Sequence, residues 1–183
     1  MKKYLILGSG GYVKEWWKEH HTKYLNEGYT LCAVNNAWKV EPAHLKIWFR
    51  SEDYFDVPTT VRPQEEQREK WQEVVQMLTY PFYYTKVGGA GTILCNVLCH
   101  LMNEHFHAKT PYWICLAGCD CVYKGDGKDW FYGQGQPDPM RFGKERLHDV
   151  LTMLKQLSEQ QGGSILNVGG QTETLLPFAR FKL

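Results

Sequence analysis

The stretch Tyr112 to Ala117 is the part of this chain that most limits its fold. Six residues, Tyr-Trp-Ile-Cys-Leu-Ala, form a short and almost unbroken apolar run that stops at Gly118 and Asp120. Such a run is too short for a buried helix and predicts a strand covered on both faces, as in parallel sheets. A strand of that kind needs helices above and below it. The carboxylate of Asp120 then arrives just beyond the strand's carboxyl end, where open α/β sheets bind their ligands.

The flanking sequence alternates in the way such a sheet requires. Lys3 to Leu7 reads as a first strand, bounded at once by Gly8, Ser9, Gly10 and Gly11. Val13 to Leu25 follows with Val13, Trp16, Trp17 and Tyr24 spaced along one helical face. Thr30 to Val34 is a second strand ending in Asn35 and Asn36, and Leu45 to Phe49 is a third. Gln64 to Leu78 reads as a charged amphipathic helix with Trp71, Val74, Val75 and Leu78 inward. Phe82 to Thr85 reads as a brief aromatic strand. Gly88 to Thr92 is a second glycine-rich turn opening a helix over Ile93 to His105. After the central strand, a loop over 122–140 carries aromatic residues, glycines and prolines. Arg141 to Leu157 reads as the last long helix and Ser164 to Val168 as a final strand, with a tail wrapping back over the sheet. The pattern predicts one α/β domain over residues 1–183, a Rossmann-like, mainly parallel sheet with helices on both faces.

Composition narrows the function classes. With 21 basic and 20 acidic side chains the formal charge is +1, which does not favour nucleic acid as a partner. The apolar stretch after Met1 is too short for a secretion signal, and no run approaches a membrane span, so a cytoplasmic location is expected. The six cysteines are then expected to be thiols, serving mainly as small buried hydrophobes. Their spacing is not that of a zinc site, although a divalent metal and a homo-oligomer both stay open.

The candidate site follows from the strand ends. A strand, a glycine turn and a helix allow close backbone approach to a phosphate and present helix N–H groups to it. Gly8, Ser9, Gly10 and Gly11 fit that role, although position 13 is Val and the full dinucleotide fingerprint is missing. A plain tight turn is the alternative. Asn35 and Asn36 suit hydrogen bonds to a base or ribose, or an Asx turn leaving the sheet. Thr92 is a helix cap or a phosphate contact beside Gly89 and Gly91. Asp120, beyond Gly118, is either a site carboxylate or a cap for the next turn.

In this order the motifs resemble the Rossmann-like proteins grouped around the bacterial sialyltransferases that use CMP-sialic acid and the MptE-like pterin pyrophosphokinases, a group that includes many phage proteins. The resemblance rests on Leu7 to Gly11, Asn35 and Asn36, Gly88 to Thr92, Gly118 to Asp120, Trp130 to Gly133, and Asn167 with Leu176, Pro177 and Phe178. It implies a nucleotide or nucleotide-sugar lying across the strand ends, with the first glycine turn and the Asn pair at the nucleotide. It also implies Gly89 to Thr92 beside sugar or phosphates. The activity implied is transfer of a glycosyl or phosphoryl-type group from an activated nucleotide. One departure matters, because the family's aromatic loop carries a His as general base and Asp129 to Gln134 holds none. Asp120 and Tyr132 remain as catalytic candidates there, Asp120 for a base or metal and Tyr132 for phosphate or sugar contact. The alternative is a non-catalytic nucleotide-binding protein, a sensor or a sponge.

Overall fold

The structure is a computed structural model and describes residues 1–51, 54, 63–77, 92–122, 144–169 and 173–180. Among the described residues seven parallel strands form one sheet in the order β4-β3-β2-β1-β5-β6-β7. They are β1 (Lys2–Leu7), β2 (Thr30–Val34), β3 (Ile47–Ser51), β4 (Glu73–Met77), β5 (Tyr112–Ala117), β6 (Ser164–Asn167) and β7 (Ala179–Arg180). The helices are α1 (Val13–Asn26), the single turn α2 (Glu65–Arg68), α3 (Ile93–Ala108) and α4 (Lys144–Gln160). The fold is α/β and Rossmann-like, and Leu5, Val34, Ile47, Ile114 and Leu166 all sit on strands as the apolar pattern predicts.

Strand alternation divides the core in two. Tyr4, Ile6, Val34, Ile114, Leu116 and Ile165 face a cluster completed by α3 and α4. Leu5, Leu7, Leu31, Ala33, Trp48 and Ala117 face α1 and its tryptophans. Helices α1, α3 and α4 reach their clusters through residues three and four apart, such as Leu147, Val150, Leu151 and Leu154 of α4. Both faces of the central strands are therefore dry, which is why their sequences are almost wholly apolar.

Residues 64–78 depart from expectation. Instead of one long helix the chain makes the single turn α2 and then β4, which pairs with β3 from Ile47↔Glu73 to Ser51↔Met77. Gln72 and Glu73 both donate their N–H groups to the Lys46 carbonyl, at 2.9 and 3.1 Å, drawing the chain onto the sheet edge. Trp71 is buried beside Trp48 and Trp38, and its Nε1–H donates to the Pro42 carbonyl at 3.1 Å. The β-branched pair Val74 and Val75 suits a strand as well as a helix, and the edge pairing decides between them. The tail also does more than cover the sheet, since β7 extends it beside β6. The segment expected as a strand at Phe82 to Thr85 lies outside the described residues.

The amino edge of the sheet is closed by a buried histidine. His105, at the end of α3, hydrogen-bonds Tyr4 through Nε2 at 3.1 Å and Thr110 through Nδ1 at 2.8 Å, and stacks on Tyr112. Burial lowers its pKa from the ordinary 6.5; Glu104 opposes this shift and Lys2 adds to it. The native state thus favours the neutral ring, and the unfolded chain takes up the proton more readily. Full stability holds above about pH 6.5 and is lost as the pH falls below it. Urea unfolding at pH 7.5 and 5 should show this as a fall in the midpoint, and His105→Gln should shrink the part of the fall that begins near 6.5. A midpoint equally pH-dependent in that variant would remove His105 from the account.

Candidate functional site

The strand order reverses between β1 and β5, because the chain builds outward from β1 to β4 and then returns to β1's other side with β5. In open parallel sheets the carboxyl edge at such a reversal is where a crevice forms. Gly8 to Gly11 leave β1 there, and Gly118 to Asp120 leave β5 beside them.

The two turns are hydrogen-bonded to each other. Gly8 N–H donates to the Ala117 carbonyl and Gly10 N–H to the Gly118 carbonyl, both at 2.8 Å. Any side chain at Gly8 would overlap the Gly118 carbonyl oxygen and the Cys119 sulfur. Gly118 itself has φ +72, in the left-handed region where a side chain is strained. These glycines let two loops close on one another. The N–H groups of Gly8 and Gly10, expected to cradle a phosphate, are engaged with β5 instead. Ser9 and Gly11 lie at the same edge and are half-buried.

Tyr12 spans the junction. It precedes α1, and its phenol O–H donates to Asp120 Oδ2 at 2.6 Å while accepting the Gly118 N–H at 3.0 Å. Burial, with the Asp120 carboxylate as the next cause, pushes the phenol pKa far above its usual value, so the group stays a donor. Asn167, at the end of β6, donates through Nδ2 to Asp120 Oδ1 at 3.3 Å and accepts the Gly169 N–H at 3.0 Å. The same Nδ2 lies 3.4 Å from Thr174 Oγ1. Asp120 is 6 % exposed, and its backbone carbonyl accepts the Leu175 N–H at 3.0 Å. Through its carboxylate and its backbone carbonyl, Asp120 therefore ties together the ends of β1, β5 and β6 and the tail.

Asp120 and the first glycine turn share an edge, in agreement with the expectation drawn from the strand ends. Asn35 and Asn36 leave β2 at that edge too, but their oxygens face β3 and the residues after it. Asn35 adopts φ 47, and its side-chain oxygen accepts the Ser51 N–H at 2.8 Å. Asn36 accepts the Tyr54 hydroxyl at 2.8 Å. Thr92 caps α3 by accepting the Leu94 N–H at 3.4 Å. Gly89, Gly91 and Tyr132 lie outside the described residues.

Sequence reasoning did not assign Tyr12 to the site. The signal available was a hydroxyl-bearing aromatic at the junction of the glycine turn and the first helix. Asn167 was visible only as part of the tail motif. His148, on α4, has its Nδ1 3.0 Å from the Leu175 carbonyl.

The cysteines behave as packing groups. No disulfide joins the six cysteines among the described residues, and of them only Cys99 is more than marginally accessible. Burial pushes the Cys99 thiol up to about 12 and Cys115 to about 11, so both stay protonated and unreactive near neutrality. Among the described residues no group of three or more His, Cys, Asp or Glu side chains is placed to hold a metal ion, and no helix is long and apolar enough to cross a membrane. Comparison with family models, with curated proteins and with solved structures finds no match for the chain.

Proposed function

We propose that this protein binds a nucleotide across the carboxyl edge of its sheet, at the β1–β5 junction, and transfers a glycosyl or phosphoryl-type group from it. The observation that carries the reading is the reversal of strand order there, with Asp120 buried at the same edge. An enzyme of this kind gains most of its rate from holding donor and acceptor in line and stabilising the leaving phosphate. A second reading is favoured by one feature, the engagement of both Asp120 oxygens by Tyr12 and Asn167. A carboxylate whose two oxygens both hold neighbouring strand ends suits a non-catalytic nucleotide-binding protein.

Thermal unfolding with a panel of mono- and diphosphate nucleotides and nucleotide-sugars tests the shared part of both readings. A true ligand at a hundredfold its dissociation constant adds about 2.7 kcal/mol of stability. A panel that moves the transition nowhere would sink both. If the panel yields a ligand, turnover of the labelled nucleotide-sugar separates the two.

A further inference from the structure

Asp120 is only 6 % exposed, yet among the described residues the hydrogen-bonding capacity of its carboxylate is half filled. An ionised carboxyl group offers about four acceptor positions. Among the described residues two side-chain donors meet them, Tyr12 O–H on Oδ2 at 2.6 Å and Asn167 Nδ2–H on Oδ1 at 3.3 Å. Neither donor is a cation, and among the described residues no Lys, Arg or His forms an ion pair with Asp120. Buried charge without a counter-charge is costly unless further hydrogen bonds reach it. The remaining acceptor positions sit at the edge where the strand order reverses.

The surroundings select what can fill them. A phosphate is disfavoured by the carboxylate's own charge, and four of the nearby backbone N–H groups are already used. Gly8 and Gly10 donate to Ala117 and Gly118, Gly118 donates to Tyr12, and Gly169 donates to Asn167. A metal ion is disfavoured because among the described residues no group of three or more His, Cys, Asp or Glu side chains is placed to hold one. A neutral donor meets neither objection. A vicinal diol supplies two O–H groups at a spacing that matches a carboxylate's two oxygens.

We propose that Asp120, oriented by Tyr12 and Asn167, is the subsite for a sugar diol, so that the ribose hydroxyls of the nucleotide meet β5 and its phosphates lie elsewhere. This rests on the nucleotide reading given above and names the part of the ligand that this carboxylate takes. Tyr12 and Asn167 act as positioning residues. Their bonds hold one acceptor position on each oxygen and leave the others to a further donor.

The test needs no variant at first. Binding of ribonucleoside monophosphates to the unmodified protein is measured by calorimetry, each beside its 2′,3′-dideoxy counterpart and inorganic pyrophosphate, with Mg²⁺ and again with a chelator. Loss of hydrogen bonds to a charged acceptor should weaken the dideoxy compounds by roughly ten- to a hundredfold. Pyrophosphate should not compete, and the chelator should change little. Asp120→Asn should bring ribo- and dideoxy forms to similar affinity; Tyr12→Phe, which keeps the carboxylate, should narrow the ratio without abolishing it. Equal binding of the ribo- and dideoxy forms to the unmodified protein would overturn the diol subsite while leaving nucleotide binding intact. Loss of binding on chelation would overturn it in favour of a metal. Absence of binding by every ribonucleotide would overturn it together with the reading it rests on.

Discussion

Gly8→Ala should unfold far more readily than the parent chain, losing roughly 3 kcal/mol or more of stability. The added Cβ would meet the Gly118 carbonyl and the Cys119 sulfur, and the first of these is backbone that cannot rotate away. Forcing one methyl group into a packed site costs about 1–3 kcal/mol when flexible side chains can yield, and more when they cannot. Gly8 N–H is also bonded to the Ala117 carbonyl, so moving the loop to relieve the overlap breaks a link between β1 and β5. For a chain of this size 3 kcal/mol corresponds to roughly 6–12 °C in the melting temperature. The experiment also bears on what the glycines are for. A turn kept free for a phosphate would accept Ala with its fold intact and lose only nucleotide affinity. Thermal and urea unfolding of Gly8→Ala without ligand decide it, and a transition unchanged from the parent would refute the packing described here.

The contrast between these two outcomes shows what the sequence can and cannot reveal. Strands β1, β2 and β5 were legible because each is a short apolar run ended by Gly or Asn, and nothing nonlocal is needed to recognise such a run. The helices were legible from their three- and four-residue spacing. Strand β4 was not, because Trp71, Val74, Val75 and Leu78 fit a helical face as well as they fit an edge strand. The choice between them was made by the Lys46 carbonyl, far away in the sequence. The site divides in the same way. Asp120 could be read as a carboxylate past a strand end, but its partner Tyr12 lies 108 positions away and Asn167 lies 47 away. Spacing does not announce bonds of that range. Nor can a glycine-rich turn say whether its N–H groups face a ligand or the neighbouring strand. That depends on how close β5 approaches, which is a property of the packed sheet.

Trp48→Ala should be comparably damaging, by about 3–5 kcal/mol, as for other buried aromatic truncations. Trp48 is wholly buried on β3, with its ring edge-on to Tyr54 at 5.2 Å and to Trp71 at 5.4 Å. Removing it leaves a cavity between β3 and the residues that precede β4. It also takes away the Nε1–H that donates to the Asn35 carbonyl at 2.8 Å, a bond that helps hold Asn35 in its left-handed conformation. Trp48→Phe separates the two contributions, since it keeps most of the ring contact and deletes the N–H. With the Asn35 carbonyl left unpaired, about 1–3 kcal/mol of the loss should persist there. The exposed neighbour Val74 provides the control, because Val74→Ala should fall within about 0.5 kcal/mol of the parent. Urea unfolding of the three variants gives the ranking. If Trp48→Ala lost no more than Val74→Ala, Trp48 would not anchor this edge, and Asn35 would again be available to a ligand rather than committed to holding β2 against β3.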